Sequence, residues 1–145
     1  MKVQDYFGIK ELVCKHVYDK WGEKAWQFLD EKLLANLAFI RERLGKPIVV
    51  NNWAQGGQYT QRGLRCNCCI LCIEKTDLRK VYLTQHVFGK AVDFGVVGMK
   101  AEEVRQWIKA HASELPYPCR LEKDVSWVHL DVTNNTDDKV LEFYA

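Results

Sequence analysis

No stretch of this chain approaches the roughly 20 consecutive apolar residues that a bilayer-spanning helix needs. Its first residues, Met1-Lys2-Val3-Gln4-Asp5-Tyr6, also lack the apolar core and small-residue cleavage site of a secretory signal. A membrane protein is therefore not expected, and the expected place of synthesis is the cytoplasm. A dominant charge is missing too: 21 Lys and Arg against 19 Asp and Glu leave a formal charge of +2. That is too little to recruit DNA, RNA or an anionic membrane, so neither nucleic acid nor membrane is an expected partner. No internal repeat, low-complexity tract or linker divides the sequence, and residues 1–145 are read as a single domain. Histidine is scarce at 4 residues, which makes the placement of each informative.

What is present describes a globular chain, 48% apolar and 28% charged, long enough to bury a core. After Ile9, the residues Leu12, Val13, His16 and Val17 recur at helical spacing and predict a first helix ending near Trp21, before Gly22. From Glu23 to Leu44, Trp26, Leu29, Leu33, Leu37, Ile40 and Leu44 step by three and four, and Gly45 and Pro47 stand as stop signals. This predicts a long helix whose apolar stripe packs on a sheet. Pro47 to Asn52 reads as a short buried strand, and Trp53 to Arg65, without either periodicity, as a long loop of the kind that often carries function. Val81-Tyr82-Leu83 is strand-like. Another helix runs from Lys100 to about Ala112, and strands fit Cys119 to Glu122, Trp127 to Val132, and Val140 to Tyr144 at the sheet edge. The sum is an α+β chain, helices packed on a small, mainly antiparallel sheet.

The chemistry concentrates in Thr84-Gln85-His86-Val87-Phe88-Gly89-Lys90-Ala91-Val92-Asp93-Phe94 and in Ser126-Trp127-Val128-His129-Leu130-Asp131-Val132. His86 and Asp93 are too far apart in sequence for the i, i+4 pairing of a helical zinc site. Gly89 instead permits a turn, and the following strand can aim Asp93 back at His86. In the later strand, alternation puts Trp127, His129 and Asp131 on one face. Two imidazoles and a carboxylate, brought together, form the three-ligand set that leaves a zinc ion one open position. His16 and His111 fall on predicted helices and read as packing or surface residues.

The order S/T-x-H-x-x-G-x-A-x-D, carried by Thr84, His86, Gly89, Ala91 and Asp93, then the W-x-H of Trp127 and His129, resembles the zinc D-Ala-D-Ala carboxypeptidases and the phage L-alanyl-D-glutamate endopeptidases. These share the hedgehog/DD-peptidase fold. The resemblance implies that His86, Asp93 and His129 are ligands to Zn2+. It further implies that an arginine ahead of the histidine motif, Arg65 first and Arg62 second, binds substrate. The implied activity is hydrolysis of peptidoglycan stem peptides by an enzyme of phage type, with release at lysis or carriage in a virion as its route to the wall. The alternative is a non-catalytic, metal-binding or virion-associated relative that binds cell-wall peptides.

A peptidase also needs a proton carrier near the attacking water. The resembling enzymes supply Glu or Asp three residues before the last histidine, or His two before it; this chain has Ser126 and Trp127 there. Asp124 is the first candidate to substitute and Glu122 the next, while Asp131 is expected to orient a neighbouring side chain. Six cysteines in a chain without an export signal are expected to be reduced thiols or metal ligands. Four of them, Cys66, Cys68, Cys69 and Cys72, cluster tightly enough to be considered together for a second metal, while Cys14 and Cys119 lie apart.

Overall fold

The computed structural model describes residues 2–133 and 137–145. In chain order its helices and strands are α1 (Ile9–Leu12), α2 (Lys15–Trp21), α3 (Glu31–Leu44), β1 (Ile48–Val49), α4 (Ile70–Asp77), β2 (Ala91–Val96), α5 (Ala101–Ala110), β3 (Cys119–Glu122), β4 (Val128–Asp131) and β5 (Val140–Phe143). The strands form one mixed sheet in the order β1-β2-β4-β3-β5. All neighbours are antiparallel except β3 and β5, which are parallel. The chain is thus α+β, as its element pattern predicts.

Alternation in the two central strands divides apolar from polar chemistry. Val92 lies opposite Leu130 and Phe94 opposite Val128, all four buried, while Asp93 lies opposite His129. A strand reverses side at each residue, so the apolar pairs build one face and the titratable pair the other. The apolar face belongs to a core that also takes in Leu33, Leu37 and Ile40 of α3 and Val104 and Ile108 of α5. Buried Asn36 ties α3 to the approach to β3, donating to the Tyr117 carbonyl and accepting from the Tyr117 N–H, both at 3.0 Å.

Four expectations require correction. The helix read from Ile9 to Trp21 is broken at Val13, which is extended and bridges Leu64 in parallel. There the Leu64 N–H donates to the Leu12 carbonyl at 2.9 Å and the Cys14 N–H to the Leu64 carbonyl at 3.1 Å, so a tertiary pairing replaces helical bonds. The helix read from Glu23 to Leu44 begins only at Glu31. A 3-10 segment, Gly22–Phe28, precedes it, and Asp30 caps α3 by accepting from the Lys32 N–H at 2.8 Å. Its end is as expected, at Gly45 in the left-handed region with φ 65°. The strand read from Pro47 to Asn52 shortens to Ile48–Val49. Val81 to Leu83 is not a strand; Val81 and Leu83 are exposed and no strand among the described residues pairs with them, while α4 occupies the charged stretch before them.

Candidate metal centre

His86 enters from the turn ahead of β2, Asp93 sits within β2, and His129 lies directly opposite it on β4. The turn closes at Gly89, whose φ is 70° and where a Cβ would collide with the Phe28 carbonyl oxygen. Its carbonyl accepts from the Asp30 N–H at 2.9 Å, so the loop carrying His86 is packed against the break ahead of α3. His129 Nδ1 lies 2.9 Å from Asp93 Oδ1, and His86 Nε2 lies 3.3 Å from Asp93 Oδ2. One ligand atom from each residue lies within 4.8 Å of the others, and all three residues are buried, so the group could hold a metal ion.

The outer partners of both rings fit that role. His86 Nδ1 is 3.0 Å from the Gly63 carbonyl, which only accepts, so Nδ1 carries a proton and Nε2 faces Asp93. His129 Nε2 is 2.8 Å from Asp131 Oδ2, so it too holds a proton while Nδ1 faces Asp93. Each ring therefore turns its other nitrogen to the same carboxylate, the arrangement that fixes ligating histidines around a cation. Without a cation, burial alone would push the His129 imidazole down, but its hydrogen bonds to the Asp131 and Asp93 carboxylates outweigh it and raise its pKa to about 9. Burial would likewise raise both carboxylates, yet His129 and His86 hold Asp93, and His129 and Arg120 hold Asp131, well below the usual range.

A cleft of about 320 Å³ opens on the group and is lined also by Arg65, Gln85, Arg120, Glu122, Trp127 and Phe143. Arg65 is mostly buried and already held on three sides. Its Nε donates to the Gln61 carbonyl at 2.6 Å, one terminal nitrogen to the Tyr82 hydroxyl at 3.0 Å, and the other to Asp93 Oδ2 at 3.4 Å. Of the five guanidinium N–H groups, one on each terminal nitrogen stays available to a ligand among the described residues. Arg62 lies in an adjoining cleft with Tyr59, Ser126 and Trp127, its guanidinium 4.2 Å from the centre of the Tyr59 ring.

The two carboxylates proposed as proton carriers are placed differently. Glu122 lines the cleft beside His129. Asp124 is exposed, lies at a left-handed turn with φ 59°, and is not among the residues lining the cleft. The turn is fixed from behind by buried Arg105 of α5, which donates to the Val125 and Trp127 carbonyls at 3.1 and 3.0 Å. Sequence reasoning missed Arg120, which grips Asp131 with two parallel bonds of 2.8 and 2.9 Å and stacks 4.2 Å from the Phe143 ring centre. The signal was available in alternation, since Arg120 stands two residues before Glu122 on the same strand face and opposite Asp131.

A second group that could hold a metal ion consists of Cys14, His16, Cys66 and Cys69. The group is not the sequence-adjacent set Cys66, Cys68, Cys69 and Cys72, and it corrects the expectation that His16 and Cys14 stand without partners. Cys68 is exposed, and Cys72 is buried within α4, neither forming part of the group.

The chain is thus an α+β protein in which the described residues form two clusters of metal-competent side chains, one of them at the base of a cleft. No protein-family profile, no curated protein and no solved structure matches it. Among the described residues, no helix is long and apolar enough to cross a membrane.

Proposed function

We propose that this chain is a zinc-dependent peptidase of the hedgehog/DD-peptidase type that hydrolyses peptidoglycan stem peptides. The observation that carries the reading is the convergence of His86 Nε2 and His129 Nδ1 on Asp93, with each outer nitrogen anchored by an acceptor. Two histidines and one aspartate suit zinc and leave a coordination position for a reactant. When bound, zinc supplies Lewis-acid chemistry that polarises a carbonyl and lowers the pKa of water.

The chain's own residues account for the remaining tasks. Arg65 offers two N–H groups to a peptide carboxylate or to the scissile carbonyl, and its other three bonds hold it rigid beside Asp93. Exposed Trp127 and the Tyr59–Arg62 pair border the adjoining cleft, where more of an extended peptide can lie. Asp93 and Asp131 also line the cleft but are held by the histidines and Arg120, so Glu122 takes the proton from the attacking water and returns it to the leaving amine nitrogen. Asp124 would need its turn to rearrange before it could serve.

The specific observation favouring a non-catalytic wall-peptide binder is that exposed Ser126 and Trp127 occupy the places where a proton carrier is expected. One experiment separates the readings. The zinc-loaded protein is incubated with purified peptidoglycan and new amino termini are followed. Cleavage that vanishes in Glu122→Gln, persists in Asp124→Asn and requires His86 supports the peptidase. Retained zinc and muropeptide binding without new termini supports the binder. Zinc content unchanged in His86→Ala and His129→Ala sinks both.

A further inference from the structure

We infer that Cys14, His16, Cys66 and Cys69 bind one structural zinc ion, separate from the cleft, that fastens the loop carrying Arg65 to the break between α1 and α2. The Cys14 and Cys66 sulfurs are 3.7 Å apart, and the Cys69 sulfur is 3.9 Å from His16 Nδ1. All four ligand atoms lie within 4.8 Å of one another. A tetrahedron with Zn–S bonds of about 2.3 Å has edges of about 3.8 Å, which these two separations already match, and the remaining edges need close by no more than about 1 Å. Three thiols and one imidazole make a closed soft-donor set, which selects zinc over magnesium or calcium and leaves no position for a substrate.

The local backbone is shaped for thiolates. Cys66 and Cys69 form a C-x-x-C turn closed by the Cys69 N–H donating to the Cys66 carbonyl at 3.1 Å. Within it the Cys68 N–H points at the Cys66 sulfur at 3.3 Å, and the Cys66 N–H at the Cys69 sulfur at 3.4 Å. Amide hydrogens aimed at sulfur stabilise the negative charge that a metal-binding thiolate carries. Cys14, Cys66 and Cys69 are free thiols, and His16 is exposed, so the ion has an entry path and a removable ligand at the surface.

The position explains what the ion would do. Cys14 and Cys66 are 52 residues apart, and the backbone of their segments is joined by the short Val13–Leu64 bridge. Segment 63–66 then serves two clusters at once. Gly63 orients His86 through its carbonyl, Arg65 reaches Asp93, and Cys66 is a ligand of the second cluster. An ion at Cys66 fixes the end of that segment whether or not the cleft is catalytic, so the inference stands independently of the peptidase reading.

Cobalt(II) titration of the reduced, metal-free protein tests it, because thiolate-to-cobalt charge-transfer absorption arises only from cysteine ligands. One equivalent of cobalt should develop this absorption in the wild type and in a His86→Ala/His129→Ala variant, and it should be lost in Cys66→Ser/Cys69→Ser. His16→Ala alters an exposed side chain and should leave the fold intact while weakening cobalt binding by about tenfold or more. Cys68→Ser should match the wild type. The inference is overturned by a wild type without charge-transfer absorption. It is equally overturned by absorption that survives Cys14→Ser and His16→Ala but disappears in Cys68→Ser/Cys72→Ser, or by a Cys14–Cys66 disulfide in the protein purified without reductant.

Discussion

Replacing Asp131 by Asn keeps the side chain's volume and removes one charge from a fully buried position that meets four donors. Oδ1 accepts from Arg120 Nε at 2.8 Å and from the Thr133 N–H at 3.1 Å, while Oδ2 accepts from His129 Nε2 at 2.8 Å and from the second Arg120 nitrogen at 2.9 Å. An amide has a single oxygen. If that oxygen stays with Arg120 Nε and Thr133, the NH2 group confronts His129 Nε2–H, and the imidazole escapes only by moving its proton to Nδ1. That nitrogen faces Asp93, so the change occupies the atom proposed to bind zinc. Loss of such an outer partner weakens metal binding about 10–100-fold, roughly 1.4–2.7 kcal/mol. Breaking the buried pair with Arg120 destabilises the metal-free fold by about 3–5 kcal/mol, a large part of the ~5–15 kcal/mol available to a domain. Zinc affinity is read by competition with a chromophoric chelator, and folding by circular dichroism on the same samples. Arg120→Gln should give a smaller loss, and adding it to Asp131→Asn should change little, because Arg120 acts through Asp131. A folded Asp131→Asn protein with wild-type zinc affinity would refute the reasoning.

Chelated protein should lose stability as pH rises. The folded His129 titrates near 9 against about 6.5 in the unfolded chain. Its contribution, up to ~3 kcal/mol, is therefore complete below the unfolded value and gone above the folded one. Chemical denaturation at a series of pH values between those limits reads it, and zinc should flatten the dependence. Asp93 and Asp131, held low, add the opposite limb, lost only as pH falls below the ordinary carboxylate range. Gly89→Ala forces a Cβ into the Phe28 carbonyl at φ 70° and should cost about 2–5 kcal/mol, read as a lowered melting temperature. Gly56→Ala, at φ 82° with nothing nearby, should cost only about 1–2 kcal/mol. Arg65→Lys cannot meet the Gln61 carbonyl, Tyr82 hydroxyl and Asp93 together. It should lower stability by about 1–3 kcal/mol and, under the proposed peptidase function, raise KM for stem peptides more than it lowers kcat.

Sequence patterns reached the features whose causes are local. The turn at Gly89 led into the strand of Asp93, the period-two alternation around His129 placed it on another, the Gly45 stop ended α3, and the stripe of Val104 and Ile108 marked α5. Features set by distant partners were not legible. Leu12 and Val13 fit a helix, but Leu64 takes their backbone bonds. Leu29 continues the apolar stripe into α3, yet Asp30 is the cap because Gly89 packs against the break. Val81 to Leu83 has strand composition but no partner strand among the described residues. Among the cysteines, proximity in sequence suggested Cys68 and Cys72 as companions of Cys66. The turn instead points Cys66 and Cys69 toward Cys14 and His16, a grouping that no spacing rule reaches across such an interval.

The pairing of β2 with β4 has a further consequence for how the protein acquires its site. Asp93 meets His129 at a sequence separation of 36, and β1 reaches β2 over a comparable span. Closing such loops costs entropy before any contact is gained, which slows folding relative to a helical bundle of the same size. Among the described residues no hairpin or helix contains two of the three residues that converge in the cleft, and the short turn and strand from His86 to Asp93 hold two of them without the third. Fragments of this chain should therefore show helix without metal affinity in the cleft, and in refolding the cleft should gain its ligand geometry together with the central sheet rather than ahead of it.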